Sequence, residues 1–334
     1  MKNEKAPTMK DVAKEAGVAL GTVSKVINGV SVGKEYKEKV EEAVKKLDYK
    51  VNTYARGLKI SHTQTITLII PTLRNPFYAA FANEIEHQVY LRGHKLILCC
   101  SEEIPEKEEE YLSLASQSKT DGIIALTYSD ISNLVPDQIP LVVFDRYFEK
   151  RSIPRIASDN YSGGVLAVEK LIELGCKKVA FIRYHSKYKG ESDKRFEGYL
   201  EGCKKYNIIP NYINKLDSDN TLEEIKEFLE KNEDKENHRL LFDGLFVNTD
   251  YHATIALSML KEMGYSIPED VQIIGFDGIK RFYPSDQYVV STIVQPIESL
   301  ARNAVDIILE EDRSSLPTVT LLPVKYCYGG TTKE

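Results

Sequence analysis

The stretch TMKDVAKEAGVALGTVSKVIN, residues 8–28, carries two short apolar periodicities separated by one glycine. Val12, Ala13 and Ala16 recur at helical spacing, and Thr8 stands three residues before Asp11, the arrangement of a capping box. This predicts a helix from about Met9 to Ala16. Gly17 supplies the left-handed backbone that ends it at little steric cost, while Val23, Val26 and Ile27 give a second helix its own apolar stripe. Ala13 and Ala16 are small enough to let the two helices cross closely, so the pair reads as a helix-turn-helix unit. Leu20, Gly21, Ser24, Lys25 and Asn28 then fall on the outer face of the second helix. Spacing alone is equally compatible with one corner of an ordinary helical bundle.

The residues that follow separate the two readings. GKEYKEKVEEAVKKLDY, residues 33–49, predicts a third helix with Val40, Ala43, Val44 and Leu47 inward, and VNTYARGLKIS, residues 51–61, a short fourth one starting near Asn52. Two helices, a third helix and a hinge segment in this order and register resemble the lac-repressor (LacI/GalR) family of bacterial transcription regulators, and the resemblance extends over nearly the whole chain. It implies a DNA-binding domain over residues 1–51, a hinge helix or linker over 52–62 and an effector-binding and dimerisation body over 63–334. It also implies that Thr8, Leu20, Gly21, Thr22, Ser24, Lys25 and Asn28 meet operator DNA, with Tyr54, Arg56, Leu58 and Lys59 of the hinge. Where the family usually has Arg, this chain has Lys25, a point charge in place of a rigid fork for guanine. Ala19 stands where a capping serine is usual, and such a cap is worth about 1 kcal/mol. Eight residues with Gly57 inside are too few to be helical alone in water, so the hinge is expected to fold only when something packs against it. Leu58 would then wedge into the minor groove. A plain linker with an incidental leucine is the alternative.

Charge divides along the same line. Residues 1–60 hold 13 Lys and Arg against 8 Asp and Glu, whereas the remainder holds 31 against 42. A basic head suits phosphates that an acidic body would repel. No apolar run approaches the length of a membrane span and no signal peptide is legible, so a soluble cytoplasmic protein is expected. The five cysteines lack metal spacing and are expected to be reduced thiols. No cofactor is expected.

Beyond the head, the apolar runs ITLII (66–70), KLILCC (95–100), GIIAL (122–126) and PLVVFD (140–145) alternate with helical stretches near 77–91 and 106–118. A second series, KVAFIR (178–183), GLFVNT (244–249) and VQIIGFD (271–277), alternates with helices near 163–174, 193–206 and 251–263. The predicted fold class is therefore α/β: a helix-turn-helix head plus a two-lobed, periplasmic-binding-protein-like body of doubly wound parallel sheets. The resemblance implies lobe 1 over about 63–157 and 293–322, and lobe 2 over about 158–292 and 323–334, with three crossings between them. Ligands of open α/β sheets bind outside the carboxyl ends of the strands, which places the site in the cleft between lobes.

Polar residues at those strand ends supply the candidate effector site: Asn75, Phe77, Asp145, Arg146, Arg195, Thr249, Asp250 and Asp277. Carboxylates and a guanidinium can each take two sugar hydroxyls, and an aromatic face covers the apolar side of a ring. The family often has Asn where this chain has Thr249. Without the resemblance, the favoured reading is that Asp250 or Asp277 caps the helix or turn that follows it. The expected partners are a palindromic operator, a small effector of sugar type and a second copy of the chain, since one head reads only a half-site. No heptad tail follows PVKYCYGG (323–330) to join dimers, no membrane is expected, and no residue indicates a phosphoprotein co-regulator. An enzyme would need a nucleophile with its base, a metal cluster or a phosphate loop, and SDNYSGG (158–164) lacks that loop's spacing. A secreted sugar-binding protein shares the two-lobed body but has no use for residues 1–60.

Overall fold

The computed structural model describes residues 7–27, 29–49, 63–146, 148, 153–281 and 285–334. Asn28 and the hinge positions Tyr54, Arg56, Leu58 and Lys59 lie outside the described residues. The chain divides into two compact units, residues 1–63 and 64–334.

In the first unit, α1 (Met9–Ala16) begins with a complete capping box between Thr8 and Asp11 and ends at Gly17 with φ +64°. α2 (Leu20–Ile27) follows a tight turn in which the Ala19 carbonyl accepts from Thr22 and Val23. α3 (Lys34–Lys46) closes the unit over a small core of Val12, Ala13, Val23, Val40 and Ala43. Leu20 is 42% exposed, and Gly21 and Lys25 are exposed beside it, while Thr22 and Ser24 are half-buried.

The second unit holds two six-stranded sheets. Lobe 1 contains β1 (Thr65–Ile70), α4 (Pro76–Leu91), β2 (Lys95–Cys100), α5 (Pro105–Gln117), β3 (Gly122–Ala125), β4 (Leu141–Phe144) and β5 (Arg155–Ser158). Lobe 2 takes over with α6 (Asn160–Glu173), β6 (Val179–His185), α7 (Lys194–Lys205), β7 (Asn211–Leu216), α8 (Thr221–Lys231), the short hairpin β8 (Glu233–Asp234) and β9 (Arg239–Leu240), β10 (Gly244–Val247), α9 (Asp250–Glu262), β11 (Gln272–Asp277) and β12 (Ser291–Val294). The chain then returns to lobe 1 for α10 (Ile297–Leu309) and β13 (Val319–Leu322), and ends in lobe 2 with β14 (Lys325–Cys327). The strand orders are β13-β5-β4-β3-β1-β2 and β14-β12-β11-β10-β6-β7, parallel throughout except for the antiparallel β12–β14 pair.

The central strands are buried on both faces, as uninterrupted runs such as Ile66 to Ile70 require in a sheet covered by helices on two sides. Sequence reading did not name β5, β7, α8, the β8–β9 hairpin, β12, α10 or β13. β7, Asn211–Leu216, is an edge strand with polar residues interleaved, and its apolar signal is correspondingly weak. Among the described residues, no helix is long and apolar enough to cross a membrane.

Candidate effector cleft and nucleic-acid interface

Between the lobes lies a cavity of about 720 Å³, walled by the carboxyl ends of the strands in both sheets. It is lined by Asn75, Phe77, Asp145, Arg146, Arg195, Thr249 and Asp277 of the expected residues. Asp250 lies behind its wall. That carboxylate is wholly buried, and its Oδ2 accepts the backbone N–H groups of Gly278 at 2.9 Å and Ile279 at 2.7 Å. It therefore braces the turn that follows Asp277, while the helix that begins at Asp250 is capped by Thr249. Burial, with Asp277 close by, raises its pKa well above the usual carboxylate range.

At the floor of the cleft, Arg195 is positioned by the first turn of α7. Its Nε donates to Asn160 Oδ1 at 2.7 Å, its Nη1 donates to the Asn248 carbonyl at 2.7 Å and lies 3.5 Å from Asp277 Oδ1, and the guanidinium stacks on the Phe276 ring at 3.7 Å. Asp277 Oδ1 also accepts from Gln295 Nε2 at 2.8 Å, and Gln295 in turn accepts from Ser158 Oγ at 2.8 Å. Ser158 and Gln295 stand at two of the crossings between lobes, so this network ties the floor to the crossing segments. Arg195 Nη2 and Asp277 Oδ2 have no partner among the described residues. Asp277, at φ +126°, holds a backbone conformation that side chains other than glycine rarely adopt, and such strain collects at functional sites.

The lobe 1 wall is aromatic. Phe77 sits in the first turn of α4, whose cap is Asn75: its side chain accepts the Phe77 N–H at 3.0 Å. Phe77 stacks on Phe81 and lies against Phe144, the residue before Asp145. Arg146 lies over the Tyr128 ring at 4.3 Å, and the Tyr128 hydroxyl meets that of Tyr78 at 3.2 Å. Buried Glu108 accepts the Tyr128 N–H at 2.7 Å and holds this wall from behind. Sequence reading missed Tyr128, Tyr188, Gln295 and His252, because none belongs to a strand-end motif that periodicity singles out.

Asp145 is engaged in a clasp between the lobes. Its Oδ1 accepts the Ser192 N–H and its Oδ2 the Ser192 hydroxyl, both at 3.0 Å, while its carbonyl accepts the Glu191 N–H at 2.7 Å. Arg146 bridges to Gly190 and donates from Nη1 to the Tyr188 carbonyl at 2.7 Å; Arg155 pairs with Glu191 at 3.0 Å. The loop 186–193 of lobe 2 thus grips the end of β4 and the start of β5 in lobe 1. Asp145 adopts φ +63° to reach it. Burial raises the Asp145 carboxyl above its usual pKa, with Arg146 and Arg195 opposing.

Thr249 caps α9, accepting the His252 N–H at 3.2 Å. Among the described residues, no group of three or more His, Cys, Asp or Glu side chains could hold a metal ion.

The description "Bacterial regulatory proteins, lacI family" matches residues 8–52, and "Periplasmic binding protein-like domain" matches residues 168–332. The sucrose operon repressor of Lactococcus lactis subsp. lactis is 33% identical over 331 residues, covering 96% of this chain and 98% of that protein. This chain belongs to the lacI family. The ribose operon repressor of Halalkalibacterium halodurans is 34% identical, covering 98% of this chain and 97% of its own length. A solved periplasmic binding protein/LacI transcriptional regulator from Alkaliphilus metalliredigens QYMF, complexed with D-xylulofuranose, is 30% identical with a TM-score of 0.67 and covers 81% of this chain and 100% of its own. The match over residues 8–52 gives this chain the head that the secreted alternative lacks.

Proposed function

We propose that this lacI-family member is a transcriptional repressor whose affinity for a palindromic operator is set by a small neutral sugar bound between the lobes, and that it acts by binding and not by catalysis. The observation that carries the ligand class is the pair at the cleft floor: Arg195 Nη2 and Asp277 Oδ2 offer a donor and an acceptor side by side, the complement of two neighbouring hydroxyls. Around the cavity five Arg and Lys face five Asp and Glu, which favours a neutral ligand over an anionic one. The sucrose and ribose operon repressors among the relatives agree with a sugar. Asp145, held by Ser192, serves the lobe arrangement; Asn75 and Thr249 serve as caps that shape the wall.

The DNA side rests on α2. A Cβ built on Gly21 would meet nothing within 4 Å, so the packing of the head does not demand glycine there. Glycine nonetheless costs a helix up to about 1 kcal/mol relative to alanine. Close approach to a groove is the reading that accounts for it, with Leu20 and Lys25 beside it reading a thymine methyl and a base edge or phosphate. Gly21→Ala is expected to raise the melting temperature of the head while weakening or re-specifying operator binding. Equal or tighter binding to the unchanged operator would count against this placement.

A homodimer and a palindromic site follow from the same reading. On the free edge of lobe 1, Ile97 and Leu98 of β2 are 36% and 39% exposed, and α4, which packs against it, ends in exposed Tyr90 and Leu91. An apolar sheet edge of this kind calls for a cover. Light scattering is expected to give a dimer mass. Residues 52–62 complete the reading as the hinge that senses lobe position, by population shift between two lobe arrangements. The deciding experiment is an operator gel shift with and without D-ribose, D-xylulose, sucrose or a purine, beside a turnover assay on the same compounds. A sugar that changes the shift without being consumed supports the proposal; turnover, or indifference to every sugar, refutes it.

A further inference from the structure

Thr249 and His252 form a pair that capping alone does not explain. Thr249 Oγ1 accepts the backbone N–H of His252 at 3.2 Å and lies 3.1 Å from Nδ1 of the same residue. A hydroxyl that has accepted one proton still has its own to give, and Nδ1 is the acceptor its geometry offers among the described residues. A ring that accepts at Nδ1 carries its hydrogen on Nε2 when neutral. Burial lowers the His252 pKa, with Asp217 opposing, so the neutral form is favoured. His252 is 8% exposed, its ring flanked by Tyr184 at 5.6 Å and Tyr251 at 5.2 Å, and it lines the same cavity as Arg195 and Asp277. No protein acceptor for Nε2 exists among the described residues.

We propose that His252 is a specificity-determining residue of the cleft, presenting Nε2–H to an ether or hydroxyl oxygen of the sugar, and that Thr249 is the positioning residue that fixes its tautomer. The assignment rests on the cleft being the effector site. It gives the ligand a third polar contact, on the α9 side of the cavity, where the donor can be answered only by an acceptor oxygen. A sugar analogue with that oxygen replaced by methylene leaves the ring nitrogen unpaired in a buried wall, a situation sites use to reject analogues.

Two measurements on the full-length protein test the pair. In protein labelled with 15N-histidine, the His252 ring, assigned by its disappearance in His252→Gln, is expected to show a protonated Nε2 and an acceptor Nδ1, and Thr249→Val is expected to mix the tautomers. A protonated Nδ1 in the wild type overturns the positioning role. Calorimetry then uses whichever of D-ribose, D-xylulose or sucrose stabilises the wild type. His252→Met, which keeps the volume and removes the donor, is expected to bind that sugar roughly five- to a hundredfold more weakly. His252→Gln, whose amide nitrogen can reach the position of Nε2, is expected to restore most of the affinity. Equal affinity in His252→Met overturns the proposal while leaving the effector site standing. Failure of all three sugars to bind the wild type overturns both.

Discussion

Asp277→Asn is expected to weaken sugar binding by about 2–5 kcal/mol, the usual cost of removing one partner of a buried charged hydrogen bond, and at the same time to raise the melting temperature at pH 7. The two effects have one source. Asparagine can keep the Oδ1 contacts to Gln295 and Arg195, but it turns the cleft-facing Oδ2 into a donor, which a ligand hydroxyl bound there as a donor cannot answer. Burial pushes the Asp277 carboxyl up to about 6, against the pull of Arg195 and the Gln295 amide and with Asp145 adding to the rise. A folded-state pKa above the unfolded value near 4 means that the folded chain holds more protons between those limits, so stability falls as pH rises from about 4 to about 6. The cost of the ionised carboxylate is absent at lower pH and complete above about 6. The asparagine variant escapes it, so its advantage should appear at pH 7 and vanish near pH 4. Calorimetry with a binding sugar and thermal melts at the two pH values check the pair. A lower melting temperature than wild type at pH 7 would mean that the buried Arg195 charge, left without its counter-ion, dominates instead.

How far the sequence could be read follows from where each signal resides. The three helices of the head were legible because their signals are local: a capping box, a glycine at positive φ and apolar spacing of 3 and 4 all act within one or two helical turns. The central strands were legible because burial on both faces leaves an uninterrupted apolar run. β7 was not, since an edge strand needs only one apolar face, and periodicity could not show the crossings, which the resemblance alone implied, because a crossing is defined by which sheet the next residues join. The candidate site divides in the same way. Arg195 and Asp277 stand at a helix start and a strand end, positions that fold class marks in advance. That Asp250 braces a turn and Asp145 grips Ser192 depends on partners 28 and 47 residues away along the chain, which no local pattern contains. His252 was hidden for a further reason: on an amphipathic helix, a histidine at an inward position has the same spacing whether it packs or binds.

The second large effect is expected from Gly190→Ala. Gly190 sits in extended backbone, φ −148°, that any residue can adopt, so alanine strains nothing by conformation. Its Cβ, however, would come within 2.7 Å of Asp145 Oδ2, and within 3.1 Å of both the Asp145 carbonyl oxygen and Arg146 Nη1. Those are the atoms through which loop 186–193 grips β4. With a methyl group in that space the carboxylate must shift from its place against Ser192, and the Asp145 carbonyl beside the Arg146–Gly190 bridge must give way slightly. Crowding of a packed contact costs about 1–3 kcal/mol, and here it falls on the clasped arrangement alone, because the atoms involved meet only when the lobes are together. A penalty of that size shifts the ratio of clasped to open lobes by roughly five- to 150-fold. Neither Arg195 nor Asp277 is touched, so each lobe keeps its own half of the cleft. Small-angle scattering of the free variant is expected to give a larger radius of gyration than wild type. If the hinge reads lobe position, operator affinity without sugar should change by a comparable factor, in the direction that an opened cleft dictates. A scattering profile identical to wild type would mean that the clasp follows lobe position without setting it, and that the Ser158–Gln295–Asp277 network at the crossings between lobes carries the coupling instead.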